Sequence, residues 1–179
     1  DIILGFAGRY TSEKNINSLL CGFSRIIKNF NNIYLYMVGK NINSSNRELM
    51  NYISDFNIKE KVFLLDEQKN LLKFYNGIDL LLLTSHSESF PNVIAEAMLC
   101  STPVLSSNVG CSKKIIDDCG FVMKKNDHIS ISNNLKKCII FFKSKKKEWK
   151  SLKKKSQLNI KKNYSIKKMS IEYFKIWNF

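Results

Sequence analysis

No run of hydrophobic residues in this 179-residue chain is long enough to cross a bilayer, and no secretory leader is visible. A transmembrane helix and an exported, signal-bearing chain are therefore not expected. Cysteine is present but unpatterned: Cys21, Cys100, Cys111, Cys119 and Cys138 are odd in number and contain no Cys-x-x-Cys pair. That excludes a disulfide framework and a zinc site as organising features, and it fits a reducing cytoplasm. There are only two histidines, His86 and His128, and neither has the partners of a metal site or a triad. No Asp-x-Asp pair exists to clamp a metal, and no metal is expected. Asn43-Ser44-Ser45 and Asn163-Tyr164-Ser165 match glycosylation sequons, which carry no weight in that compartment.

What is abundant is lysine, and it is unevenly placed. Residues 135–179 hold 15 lysines, no arginine and 2 acidic residues, a balance of +13 out of +14 for the whole chain. The run centres on Lys143–Lys155. Two readings stay open: a solvated helical surface, or a face attracted to anionic lipid headgroups at ~1 kcal/mol per lysine near the surface. Nucleic acid is not expected as a partner, because no recognised nucleic-acid module accompanies the charge. Trp149 and Leu152 interrupt the lysines at helical spacing, and Leu135, Cys138, Ile139 and Phe142 form an apolar stripe before them. That stripe is expected to pack on the rest of the chain and leave the lysines outside.

The pattern elsewhere is strand then helix, repeated. Ile2–Arg9 is an apolar run ending in Gly8 and a cation, followed by a helix with Ile16, Leu19, Leu20, Phe23, Ile27 and Phe30 on one face. Ile33–Gly39, Val62–Leu65, Ile78–Leu83, Val104–Ser106 and Gly120–Met123 read as further strands. Ser45-x-x-Glu48 resembles a capping box opening a helix to about Phe56, and Leu71–Tyr75 lies on a short one. Strands separated by helices imply right-handed crossovers and a doubly wound parallel α/β sheet of about six strands. We expect one such sheet domain over residues 1–134, with lysine-rich helices over 135–179 packing on it.

The most informative segment is residues 84–107, which reads strand end, polar loop, helix, strand. Ligands of open α/β sheets bind outside the carboxyl ends of the strands, where this loop lies. Ser87 or Ser89 can cap the helix and Pro91 suits its first turn. The free N–H groups of Phe90, Asn92 and Val93 then suit an anion such as a diphosphate. Glu88 stands before the helix and Glu96 inside it. Lys14 falls at the start of the first helix, the unfavourable end of its dipole for a cation. An anion between Arg9 and Lys14 would relieve that conflict.

Taken together, Glu88-Ser-Phe-Pro-Asn-Val-Ile-Ala-Glu96, the following Cys-Ser-Thr-Pro-Val-Leu and the Gly8-Arg9…Lys14 element resemble the family-4 retaining glycosyltransferases. The resemblance implies the C-terminal, Rossmann-like half of a GT-B fold, which binds a nucleotide diphosphate sugar without metal or other cofactor. It implies catalytic roles for Arg9, Lys14 and Glu88. It implies nucleotide-sugar binding by Gly8, Arg9, Lys14, Glu88, Ser89, Phe90, Asn92, Val93 and Glu96. In it, Glu88 faces the transferred sugar, Glu96 holds the ribose hydroxyls, and Arg9, Lys14 and the helix-start amides hold the diphosphate. The end of the chain, with Ile166, Met169, Tyr173 and Ile176 on one face, is similar to the closing helix of such enzymes.

Two departures stand out. Ser101 replaces the glycine usual before Thr-Pro, and Lys114 stands near a position often acidic, so it is given no role. The N-terminal, acceptor-binding half of a GT-B enzyme is also missing from this sequence, so the chain is expected to be the donor half of a larger protein and inactive alone. The expected setting is the cytoplasm, at the inner face of the membrane if the lysines dock there, with a surface or lipid-linked glycan as acceptor. A GT-B epimerase or phosphorylase would need further acid/base residues or a pyridoxal-phosphate lysine context, and neither is visible. A non-catalytic module using the basic end is the third reading.

Overall fold

In the computed structural model, which describes residues 1–177, strands and helices alternate along most of the chain. β1 (Ile2–Ala7) leads through a short 3-10 turn at Ser12–Lys14 into α1 (Ile16–Ile27). β2 (Ile33–Val38) and α2 (Arg47–Asp55) follow, then β3 (Val62–Leu64) and α3 (Leu72–Gly77). After them come β4 (Leu80–Leu83), α4 (Asn92–Leu99), β5 (Val104–Ser107), α5 (Ser112–Ile116) and β6 (Phe121–Met123). Three helices close the chain: α6 (His128–Ser144), α7 (Lys146–Asn163) and α8 (Ile166–Trp177).

All neighbouring strands pair in parallel, in the order β3-β2-β1-β4-β5-β6. Leu4 is in register with Leu35 on one side and Leu80 on the other. The order reverses between β1 and β4, so the loops leaving these two strands part in opposite directions and open a crevice at their carboxyl ends. β4 is four leucines because both faces of the sheet are covered. Leu80 and Leu82 join the core under α1, α2 and α6, while Leu81 and Leu83 join the core under α4 and α5.

Several local expectations need correction. The cap of α2 is Asn46, whose side chain accepts from the Leu49 N–H at 3.1 Å. Ser45 is diverted, because Asn43 Oδ1 accepts both its N–H (3.1 Å) and its hydroxyl (2.8 Å). Glu48 instead accepts from the Tyr52 hydroxyl at 3.2 Å. On α1 the structure adds Ile26 as the fully buried residue of the last turn, while Ile27 and, beyond the helix end, Phe30 pack half-buried against the same core. Pro91 is the cap residue of α4 rather than part of its first turn, and neither Ser87 nor Ser89 caps it.

The end of α4 explains the Ser101 departure. The Thr102 N–H bonds Ala97 O and the Ser101 N–H bonds Met98 O, both at 2.9 Å, which is the Schellman termination. Its left-handed residue, normally glycine, is Ser101 at φ 62°.

α6 is capped by Asp127, which accepts from the Ser130 N–H at 2.9 Å. The helix buries Ile131, Leu135, Cys138 and Ile139 on one face. α7 crosses from one core to the other: Trp149 packs among Phe121, Phe141 and Phe142, and Ile160 packs with the α4–α5 core. Gln157 Nε2 donates to Leu99 O at 2.8 Å and Asn159 Nδ2 to Ile115 O at 2.9 Å, pinning α7 across α4 and α5. Packing of the lysine-rich end stops there. α8 buries no residue, and Ile166, Met169, Tyr173 and Ile176 are exposed rather than packed. Burial pushes the Cys138 thiol up to about 12 and the Cys119 thiol to about 11, as for thiols that serve as packing. Among the described residues no helix is long and apolar enough to cross a membrane.

Candidate functional site

Four loops meet at the crevice: those after β1, β4, β5 and β6. β1 and β2 end side by side, with Gly8 N–H donating to Val38 O at 2.9 Å. Gly39 follows at φ +142°, where a Cβ would stand 2.1 Å from Gly8 O, so only glycine fits. The Gly8 amide is thus already used, and what Gly8 offers the site is room beside the Lys14 stem.

Lys14 ends the 3-10 turn, two residues before α1, and reaches across the crevice. Its Nζ donates to Glu88 Oε1 at 2.5 Å, with the two side chains only 20% and 15% exposed. The expected conflict between Lys14 and the helix dipole is therefore met by Glu88, and the structure brings these two predicted residues into direct contact. Ser85 Oγ donates to the same Glu88 oxygen at 2.8 Å. Arg9 is exposed and forms no ion pair among the described residues. The Glu13 carboxyl is held below the usual range first by its backbone hydrogen bond, then by a Thr11 hydrogen bond, with the Arg9 charge adding to it.

The loop carrying Glu88 is braced from below. The Cys111 N–H donates to Ser89 O at 3.1 Å, and a Cβ on Gly110 (φ +49°) would stand 2.0 Å from Glu88 O. Ser107 Oγ donates to Ser85 O, and Thr84 Oγ1 to Lys14 O, at 2.8 and 3.0 Å. At the start of α4, no acceptor among the described residues faces the N–H groups of Phe90, Asn92 and Val93. Asn92 is exposed and Val93 half-buried, while the Phe90 ring lies 6.1 Å from that of Tyr164. Helix-start amides of this kind are ready to donate to an anion.

Glu96 lies one turn into α4, about 6 Å along its axis from Asn92. It belongs to a different neighbourhood from Glu88: a groove of about 470 Å³ between α4 and the segment from Gln68 to Leu72. Tyr75, buried below it, donates its hydroxyl to Glu96 Oε2 at 2.7 Å. Burial, followed by the Glu96 carboxylate, raises the Tyr75 phenol well above its ordinary value, so it stays a donor. Oε1 of the anchored carboxylate makes no hydrogen bond among the described residues. Tyr75, Ser85, Gly110 and Asn126 were not picked out from the sequence as site residues. Only Gly110, a glycine just past a strand, left a local signal; Tyr75 and Asn126 act through partners on other segments, and Ser85 on Glu88 within its own loop.

This sequence and fold match known proteins. Residues 1–158 match the family model "Glycosyl transferases group 1", and the chain belongs to that family. It is 26% identical over 141 residues to the capsular polysaccharide biosynthesis glycosyltransferase CapM of Staphylococcus aureus, covering 78% of this chain and 37% of CapM. A glycosyltransferase from Rickettsia africae ESF-5 superposes with TM-score 0.87 at 19% identity, over 98% of this chain and 46% of that one. The structure of Anabaena Alr3699/HepE in complex with UDP and glucose superposes with TM-score 0.83 at 19% identity, over 97% of this chain and 48% of that one. The fold is thus that of GT-B glycosyltransferases, and the chain spans less than half the length of each of these relatives.

Proposed function

We propose that this chain is the donor-binding half of a retaining glycosyltransferase that takes its sugar from a nucleotide diphosphate sugar. The observation that carries the reading is the Lys14–Glu88 pair at the mouth of β1 and β4, on the loop that leads into α4, whose first amides have no acceptor among the described residues. Lys14, Arg9 and the amides of Phe90, Asn92 and Val93 bind the diphosphate. Glu88 turns from Lys14 to hydroxyls of the transferred sugar, and Glu96 takes the ribose diol with its free oxygen. The complex of HepE with UDP and glucose supports this class of ligand.

In the reaction, the bond from the anomeric carbon to the diphosphate oxygen breaks and negative charge grows on that oxygen. Lys14 and Arg9 stabilise this charge where it develops, in a site that keeps water away from Lys14. The acceptor hydroxyl attacks from the face the nucleotide leaves, its proton passing to the departing diphosphate, so no strong protein base is needed. The acceptor, a cell-surface or lipid-linked glycan, is held by a second domain; the capsular role in CapM's name supports that class.

Steady-state kinetics of Lys14→Ala in the two-domain enzyme test this reading. The rate at saturating donor should fall about 100-fold, the scale for one preorganised charge-stabilising donor. Donor affinity should fall less, and residues 1–179 alone should turn over little or none. If neither rate nor affinity changes, Lys14 does not serve the diphosphate.

A further inference from the structure

His86 lies two residues before Glu88 and was given no role from sequence. Its surroundings fix which of its nitrogens carries the proton. Asn126 Nδ2 donates to Thr84 O at 3.3 Å and to Ser85 O at 3.0 Å. Carbonyl oxygens only accept, so the nitrogen end of the Asn126 amide must face them. The same nitrogen stands 3.2 Å from His86 Nδ1. Its two hydrogens are shared among three acceptors, and a proton on His86 Nδ1 would point at that N–H group instead of accepting from it, so the arrangement favours a bare Nδ1 with the ring proton on Nε2.

The arrangement is held from three loops. Asn15 Nδ2 donates to Asn126 O at 2.7 Å, tying the loop after β6 to the start of α1. The His86 N–H donates to Glu13 O at 2.7 Å, tying the β4 loop to the residue before Lys14. The ring itself is exposed at the crevice. The exposed ring thus sits on the loop that carries Glu88, with its backbone joined to the residue before Lys14.

We infer that Asn126 is a positioning residue that holds His86 in the Nε2–H tautomer, and that this N–H donates to a diphosphate oxygen of the bound nucleotide sugar. The ligand half of the inference rests on the proposed function; the tautomer half does not.

Nitrogen-15 NMR of residues 1–179 at about pH 8.5, well above the ordinary imidazole value, reads the tautomer directly. His128→Asn removes the signals of the other histidine. His86 should show the Nε2–H pattern, and Asn126→Ala should give a mixture of tautomers. An Nδ1–H pattern in the wild type, or an unchanged pattern in Asn126→Ala, overturns the assignment.

Calorimetry with UDP tests the ligand half. His86→Ala should weaken UDP about 13-fold, the worth of one hydrogen bond to a charged group at its low end. His86→Gln, whose amide N–H reaches towards the Nε2 position, should recover most of that loss. Equal affinity of His86→Ala and wild type overturns the ligand half. Absence of UDP binding by the wild type overturns it together with the reading it rests on, and leaves the tautomer to the spectrum.

Discussion

Glu88 and Glu96 share a spacing but not an environment. Glu88 is pinned by Lys14 and Ser85 at the crevice, while Glu96 hangs on a buried tyrosine over a separate groove. The spacing of the two glutamates, and the cation at Lys14, were legible in the sequence because each sits in a short string with its own grammar. Their partners were not, since the Lys14–Glu88 and Tyr75–Glu96 contacts depend on how separate segments come together. Ser101 shows the same contrast: the missing glycine was visible, its φ of 62° was not. Ser101→Gly should stabilise the chain, because the left-handed conformation costs a residue with a Cβ about 1 kcal/mol or more. Part of that gain is lost to the greater freedom of glycine in the unfolded chain. A melting-temperature rise of about 1–3 °C is expected, at 2–4 °C per kcal/mol for a chain of this size. A fall on calorimetric melting would mean that Ser101 makes a contact outweighing its backbone strain.

Among the elements, strands were read most easily, because apolar runs such as Leu80–Leu83 are buried on both faces and admit little else. Helix ends were read least well: Asn46 rather than Ser45 caps α2, and Pro91 rather than a serine precedes α4. Capping is decided by which neighbouring acceptor wins a contested N–H, and sequence alone does not rank them. α7 separates its two jobs by face. Trp149, Ser156 and Ile160 are buried, and most of its lysines point outward. We propose that this outer lysine face docks on anionic membrane. Co-sedimentation with vesicles rich in anionic lipid should rise with that lipid and fall with salt, because screening acts within about 10 Å at 0.1 M. No binding at low salt would leave the lysines as solvated surface.

At the scale of the molecule, the crevice between β1 and β4 gathers Lys14, Glu88 and Ser85, while most lysines of α6 and α7 lie on the outer surface. The parallel, doubly wound sheet of six strands was legible from the alternation of apolar runs and amphipathic helices. That α8 would stand free of the domain was not, since its apolar face reads in sequence like any packed helix. The central claim is that one chain divides a nucleotide sugar between two carboxylates. Isothermal calorimetry of wild type, Glu96→Gln and Glu88→Gln with UDP and with UDP-glucose tests it most directly. Glu96→Gln should weaken both ligands by roughly 1.5–3 kcal/mol, the worth of a charge-assisted hydrogen bond. Glu88→Gln should weaken only UDP-glucose, with UDP bound no less tightly because Lys14 is released to the diphosphate. Equal losses for the two variants on both ligands would contradict the division of labour.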